Sequence, residues 1–140
     1  MQTSPSPRSA APPGATSATP TDLDALARRL GVRVGVAALE PGLLGLYDAR
    51  AHRIWLAEGL TPVERRCVLA HELGHARHRH RSGTPANERV ADAFAARLLV
   101  DPAALEAASR WSHDPAEIAD ELDLTEDVVR AYLTLVAAGR

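Results

Sequence analysis

Apolar residues recur along this chain with two different periods, and the changes of period divide it into elements. Leu23, Leu26, Ala27 and Leu30 share one helical face behind Thr21 and Asp24, which resemble a capping box. Gly31 stands where a left-handed cap would end that helix. Val32, Val34 and Val36 then alternate with Arg33 and Gly35, the pattern of a half-buried strand. Pro41-Gly42 marks a turn, followed by a second strand over 43–47 and a third over 53–56, joined through 48–52. Thr61-Pro62-Val63-Glu64 is a helix start: a capping Thr, a Pro in the first turn and a Glu that closes the box. This helix is predicted to reach about Arg77. Another is predicted over 88–100, where Val90, Ala91, Phe94, Ala95 and Leu98 share a face. Asp101-Pro102 opens a short helix to about Arg110, and Asp114-Pro115-Ala116-Glu117 opens another. Thr125 caps the last, with Val128, Val129, Tyr132, Leu133 and Val136 on its inner face. The expected architecture is α+β: a small antiparallel sheet beside the helix that begins at Thr61, then a helical portion over 103–140. No internal repeat is visible.

The chemistry concentrates in His71-Glu72-Leu73-Gly74-His75, an H-E-x-x-H pattern inside a predicted helix. Residues four apart lie on one helix face, so both imidazoles can aim at one point. Neutral imidazoles are good Zn²⁺ ligands, and two of them supply half of a tetrahedral site. Glu72, offset around the helix, can reach a metal-activated water without ligating the metal, the position of a general base in metal-assisted hydrolysis. Catalytic zinc takes two His and one carboxylate and leaves a position open. Glu88, in the first turn of the next helix, is the candidate third ligand, and Asp92 lies one turn later on the same side. Asp92 can accept the far N–H of a ligating histidine and fix its tautomer. Both acids also fit a plainer reading, with Glu88 complementing the helix dipole and Asp92 solvated. The histidine pair upstream favours the metal reading.

His71-Glu-Leu-Gly-His75, then Glu88-x-x-Ala91-x-x-Phe94-Ala95-x-x-Leu98-Leu99 and Pro102, resembles the ImmA/IrrE metallopeptidases, which are zincins with a Glu third ligand. Gly45-Leu-Tyr47-Asp and Arg53-Ile54-Trp55-Leu56 look like that family's strand pair ahead of the active-site helix. The resemblance covers residues 32–102 well and 103–140 weakly. Two departures stand out. Only twelve residues separate His75 from Glu88, and Asp101 intervenes where the family usually runs straight into proline. The resemblance implies a zincin-like fold and a zinc endopeptidase whose substrate is a repressor-type, helix-turn-helix regulator in phage, mobile-element or stress control. Competing readings are a metal-stabilised module that binds a regulator without cutting it, and a general or toxin-like peptidase. Zincins align an extended substrate along an edge strand, for which 53–56 is the expected edge. A second oxyanion donor is expected and not assignable from the sequence.

Length and composition bound the rest. A chain of 140 residues suffices for one domain with a core, expected over 21–140. Hydrophobic content is 46%, much of it Ala, with 4% aromatics, which predicts closely spaced helices. Net charge is −2, with every basic residue an Arg, so no global attraction to nucleic acid or anionic membrane is expected. Residues 1–20 are mostly Pro, Ser, Ala and Thr and lack an apolar signal core, so a disordered tail and a cytoplasmic protein are expected. The single cysteine excludes an internal disulfide. Cys67, one turn before His71, is read as a buried small hydrophobe in preference to an extra thiolate ligand.

Residues 118–129 look like a helix-turn-helix, but Asp114, Glu117, Asp120, Glu121, Asp123, Glu126 and Asp127 place seven negative charges before Arg130. Such a surface repels phosphates, so core packing or docking of a basic partner is preferred to DNA contact. Arg77-His78-Arg79-His80-Arg81 is read as a solvated helix end whose cations complement the dipole. His78 could approach the cleft. His52 and His113 are read as surface residues, and Trp55 and Trp111 as core.

Overall fold

The computed structural model of the protein describes residues 22–139, and Ala25 N–H donates to the Asp22 carboxylate at 3.0 Å at the head of α1 (Leu23–Leu30). The expected tail over 1–20 and the Thr21 cap lie outside the described residues. Gly31 closes α1 with φ +69°, a conformation that costs a side-chain-bearing residue more than glycine. Three strands follow, β1 (Arg33–Ala37), β2 (Gly45–Asp48) and β3 (Arg53–Ala57). Then come α2 (Pro62–His78), α3 (Pro85–Leu99), α4 (Pro102–Ser109), α5 (Pro115–Leu122) and α6 (Glu126–Ala138). The fold is α+β.

The sheet is mixed, a correction to the wholly antiparallel one expected. Its order is β1-β3-β2, with β3 antiparallel to β2 and parallel to β1. β3 is therefore the central strand, and 53–56 is not an edge. Its own sequence explains the position: Ile54 and Leu56 are fully buried, and a strand carrying that much inward apolar surface is best flanked on both sides. β2 is left as the outer strand beside it.

Ile54 and Leu56 pack with Leu69, Ala70 and Leu73 of α2 and with Leu23 and Ala27 of α1 in one core cluster. A second cluster joins Val100, Leu105, Ala108, Ile118, Leu124, Val128 and Val129 around Cys67. α2 thus lies between sheet and C-terminal helices. Cys67 packs as a small hydrophobe, and the Thr125 N–H points at its sulfur from 3.4 Å. Helices α2 and α3 pack at short range: a Cβ at Gly74 would sit 2.9 Å from the Ala91 Cα, too close without a shift of the backbone. The predicted close spacing of Ala-rich helices is concentrated there.

Three residues depart from expectation. Trp111 is 91% exposed, because α4 has ended and the turn into α5 aims it outward from a cluster already filled by Leu105, Ala108 and Ile118. Trp55 is half-buried on the outer sheet face, stacked under the Arg53 guanidinium at 4.0 Å and against Gly35. His52 is a tether: its Nε2 donates to the Leu30 carbonyl at 2.8 Å, which leaves Nδ1 to accept from the Tyr47 hydroxyl at 2.6 Å. Among the described residues no helix is long and apolar enough to cross a membrane.

Candidate metal centre

Two Thr-Pro signatures set the helices that carry the site. Thr61 and Glu64 form a reciprocal capping box at the start of α2, at 3.1 and 2.9 Å. Thr84 caps α3 one way only, its hydroxyl accepting the Asn87 N–H, with Pro85 behind it, so α3 starts three residues earlier than its apolar stripe suggested. That extra turn places Glu88 inside the helix and not at its first residue.

One ligand atom from each of His71, His75 and Glu88 lies within 4.8 Å of the other two. Glu88 Oε2 is 3.2 Å from His71 Nε2 and 2.6 Å from His75 Nε2. Bonds of ~2.0–2.2 Å in a tetrahedron hold ligand atoms roughly 3.4 Å apart, so the first spacing already suits a shared ion. The second is that of a charge-assisted hydrogen bond, whose place an ion would take. Two imidazole nitrogens and a carboxylate oxygen converging from two helices fit a divalent transition metal. Cys67 is outside this cluster. Asp92 Oδ1 lies 2.9 Å from His71 Nδ1, on the ring edge away from Glu88.

Burial shapes the titration of each group. Desolvation pulls the His71 imidazole down, but its hydrogen bond to Asp92 and the charges of Glu72, Asp92 and Glu88 outweigh it, so the net shift is upward. His75 is driven the other way, chiefly by burial, against the pull of Glu88. Glu72 is 7% exposed, and desolvation pushes its carboxyl up to about 7. His71 and the Tyr47 backbone N–H oppose that rise, while Glu88 adds to it. A dication held by the neighbouring triad would draw it back down.

Glu72 is reached along β2. A Cβ at Gly45 would lie 3.0 Å from Glu72 Cγ and 2.6 Å from Val68 Cγ1, so this outer strand passes over the glutamate only because residue 45 is glycine. Leu43, Leu44 and Gly45 form one rim of a cleft of about 450 Å³ with His71 and Glu72 within it, and Val128 and Ala131 of α6 line its far side. The sequence reading missed that wall and the role of Gly45. It also missed His80, whose ring meets His75; the five-residue spacing was the available signal. His78 turns back to the Gly74 carbonyl at 3.0 Å and contributes no ligand atom to the cluster.

Two helices that bring His, His and Glu together beside a buried glutamate and an outer strand define a protein of the metallopeptidase class. The family model described as the IrrE N-terminal-like domain, a peptidase family, matches residues 27–134, from within α1 to within α6. The chain belongs to that family, the ImmA/IrrE metallopeptidases. The match takes in the C-terminal helices, where the motif resemblance was weak. No curated protein and no solved structure matches the chain.

Proposed function

We propose that the protein is a zinc-dependent endopeptidase, with His71, His75 and Glu88 as ligands and Glu72 as the proton carrier. The observation that carries this reading is the convergence of both Nε2 atoms and one carboxylate beside a buried, non-ligating glutamate. Zinc, when bound, supplies a Lewis acid that polarises the scissile carbonyl and makes a water acidic. The Glu72 carboxylate takes a proton from the attacking water and delivers it to the leaving amine nitrogen as the C–N bond breaks. Asp92 accepts the His71 Nδ1–H, which leaves the Nε2 lone pair free for the metal. An extended substrate aligns along β2, the outer strand, in place of the central β3.

The substrate is a repressor-type transcriptional regulator, as the family implies. Charge supports this class. The acidic side chains of α5 and α6, with Asp127 at the cleft itself, repel DNA and attract the basic surface a DNA-binding protein must carry. A cytoplasmic location accords with such a target.

The test is cleavage of candidate repressors by purified protein, read as defined fragments by mass spectrometry. Cleavage is expected to stop after chelation and to return with zinc but not with magnesium, whose oxygen-rich octahedral preference this site does not meet. Cutting that persists in the metal-stripped protein would defeat the reading. Asp92→Ala is expected to keep the site but weaken zinc binding ~10–100-fold in competition with a chromophoric chelator. Wild-type affinity in that variant would return Asp92 to a solvated role.

A further inference from the structure

The ring of His80 does for His75 what Asp92 does for His71, and we infer that His80 is a positioning residue of the metal centre, accepting the His75 Nδ1–H. The inference rests on the zinc reading above. Nδ1 of His75 and Nδ1 of His80 are 2.9 Å apart, with the rings edge-to-face at 5.1 Å between centroids and 72° between planes. A histidine that ligates a metal through Nε2 carries its proton on Nδ1, so Nδ1 must donate. His80 Nδ1 is the acceptor facing it, which places the His80 proton on Nε2.

The local backbone is built to bring that ring back. α2 ends at Arg79, which adopts φ +49° and ψ +46°, a left-handed cap that usually falls to glycine. The turn closes with the His80 N–H donating to the His75 carbonyl at 3.0 Å, so His80 is tied through its backbone to the residue its side chain orients. His78 covers a face of the ring: it stacks on His80 at 5.4 Å and 16°, and its own Nδ1–H is anchored on the Gly74 carbonyl. Within Arg77-His78-Arg79-His80-Arg81 the arginines are exposed while His80 is half-buried against the site. The segment is therefore more than a solvated basic end. The two ligand histidines are oriented differently, one by a carboxylate and one by a neutral ring. A carboxylate accepts through either of two oxygens; an imidazole accepts at a single nitrogen and so fixes the ring plane as well.

The test separates the acceptor from the bulk of the ring. His80→Phe keeps a ring without an acceptor, His80→Ala removes both, and His80→Asn returns an oxygen near the place of Nδ1. Zinc affinity is measured by chelator competition on the full chain, beside wild type, His75→Ala and the thermal unfolding of each metal-stripped variant. His80→Ala and His80→Phe are expected to bind zinc ~10–100-fold more weakly while unfolding as wild type does without metal, the size of effect that loss of an orienting partner produces. His80→Asn is expected to recover most of the affinity, which a purely structural role for the ring would not allow. Wild-type affinity in His80→Phe, or no recovery in His80→Asn, overturns the inference while leaving the zinc reading intact. Failure of the wild type itself to bind zinc, or unchanged binding in His75→Ala, defeats the zinc reading and this inference with it.

Discussion

Glu72→Gln retains zinc and lowers cleavage of the repressor by at least ~10²-fold, the usual contribution of a positioned general base. Gln matches Glu in size and can still accept the Tyr47 backbone N–H, so the packing of Gly45 and Val68 over it is kept. What it loses is the ability to take and return a proton. Zinc survives because Glu72 is not one of the three convergent groups. The variant should still bind the substrate and hold it uncut, detectable as a stable complex. Two measurements decide the matter: fragment yield over time and metal content of the same preparation. If wild type and variant relieve repression equally and no fragment forms, the protein acts by binding, and the enzyme assignment fails even with a zinc site present.

His75→Ala abolishes zinc binding, against about one zinc per chain in the wild type, because a three-ligand site has no spare protein ligand. His75 is the most buried of the three, 7% exposed, and its Nε2 makes the shorter contact to Glu88. Alanine there leaves Glu88 and His71 as two ligands facing a gap beneath the helix, and His80, held at its end of the turn by its own backbone bond, is outside the cluster of convergent ligand atoms. Elemental analysis of protein purified without added chelator reads the result directly. Zinc content equal to wild type would remove His75 from the site. The metal-stripped variant should unfold somewhat earlier than metal-stripped wild type, since a buried ring is lost, and only the wild type should gain stability on adding zinc.

Much of this was open to a sequence reading because it depends on neighbours along the chain. Capping by Thr61 and Glu64, the start at Pro62 and the common face of His71 and His75 follow from the geometry of one helix. Glu88 and Asp92 share a side of α3 for the same reason. The apolar stripe puts the start of α3 three residues late, because the helix opens on the polar Thr84-Pro85 signal ahead of it. Arg79 shows where local reading stops: an arginine carries no sign that its φ will be positive, so the five-residue spacing of His75 and His80 does not by itself say that their rings meet.

By itself, then, the sequence determined the helices, their caps, the buried apolar faces and the pairing of ligand-type residues within each helix, since these obey periods of a few residues. Tertiary structure decided what crosses between elements. It set β3 at the centre of a mixed sheet, where Ile54 and Leu56 are covered by α1 and α2 and both backbone edges are paired, by β1 and β2. It brought Glu88 to the two imidazoles, because Gly74 lets α3 approach α2 to the limit of backbone contact at Ala91. It turned Trp111 outward and made α6 a wall of the cleft. Each of these depends on packing among residues far apart in the chain, which volume and shape resolve only once the whole core is assembled.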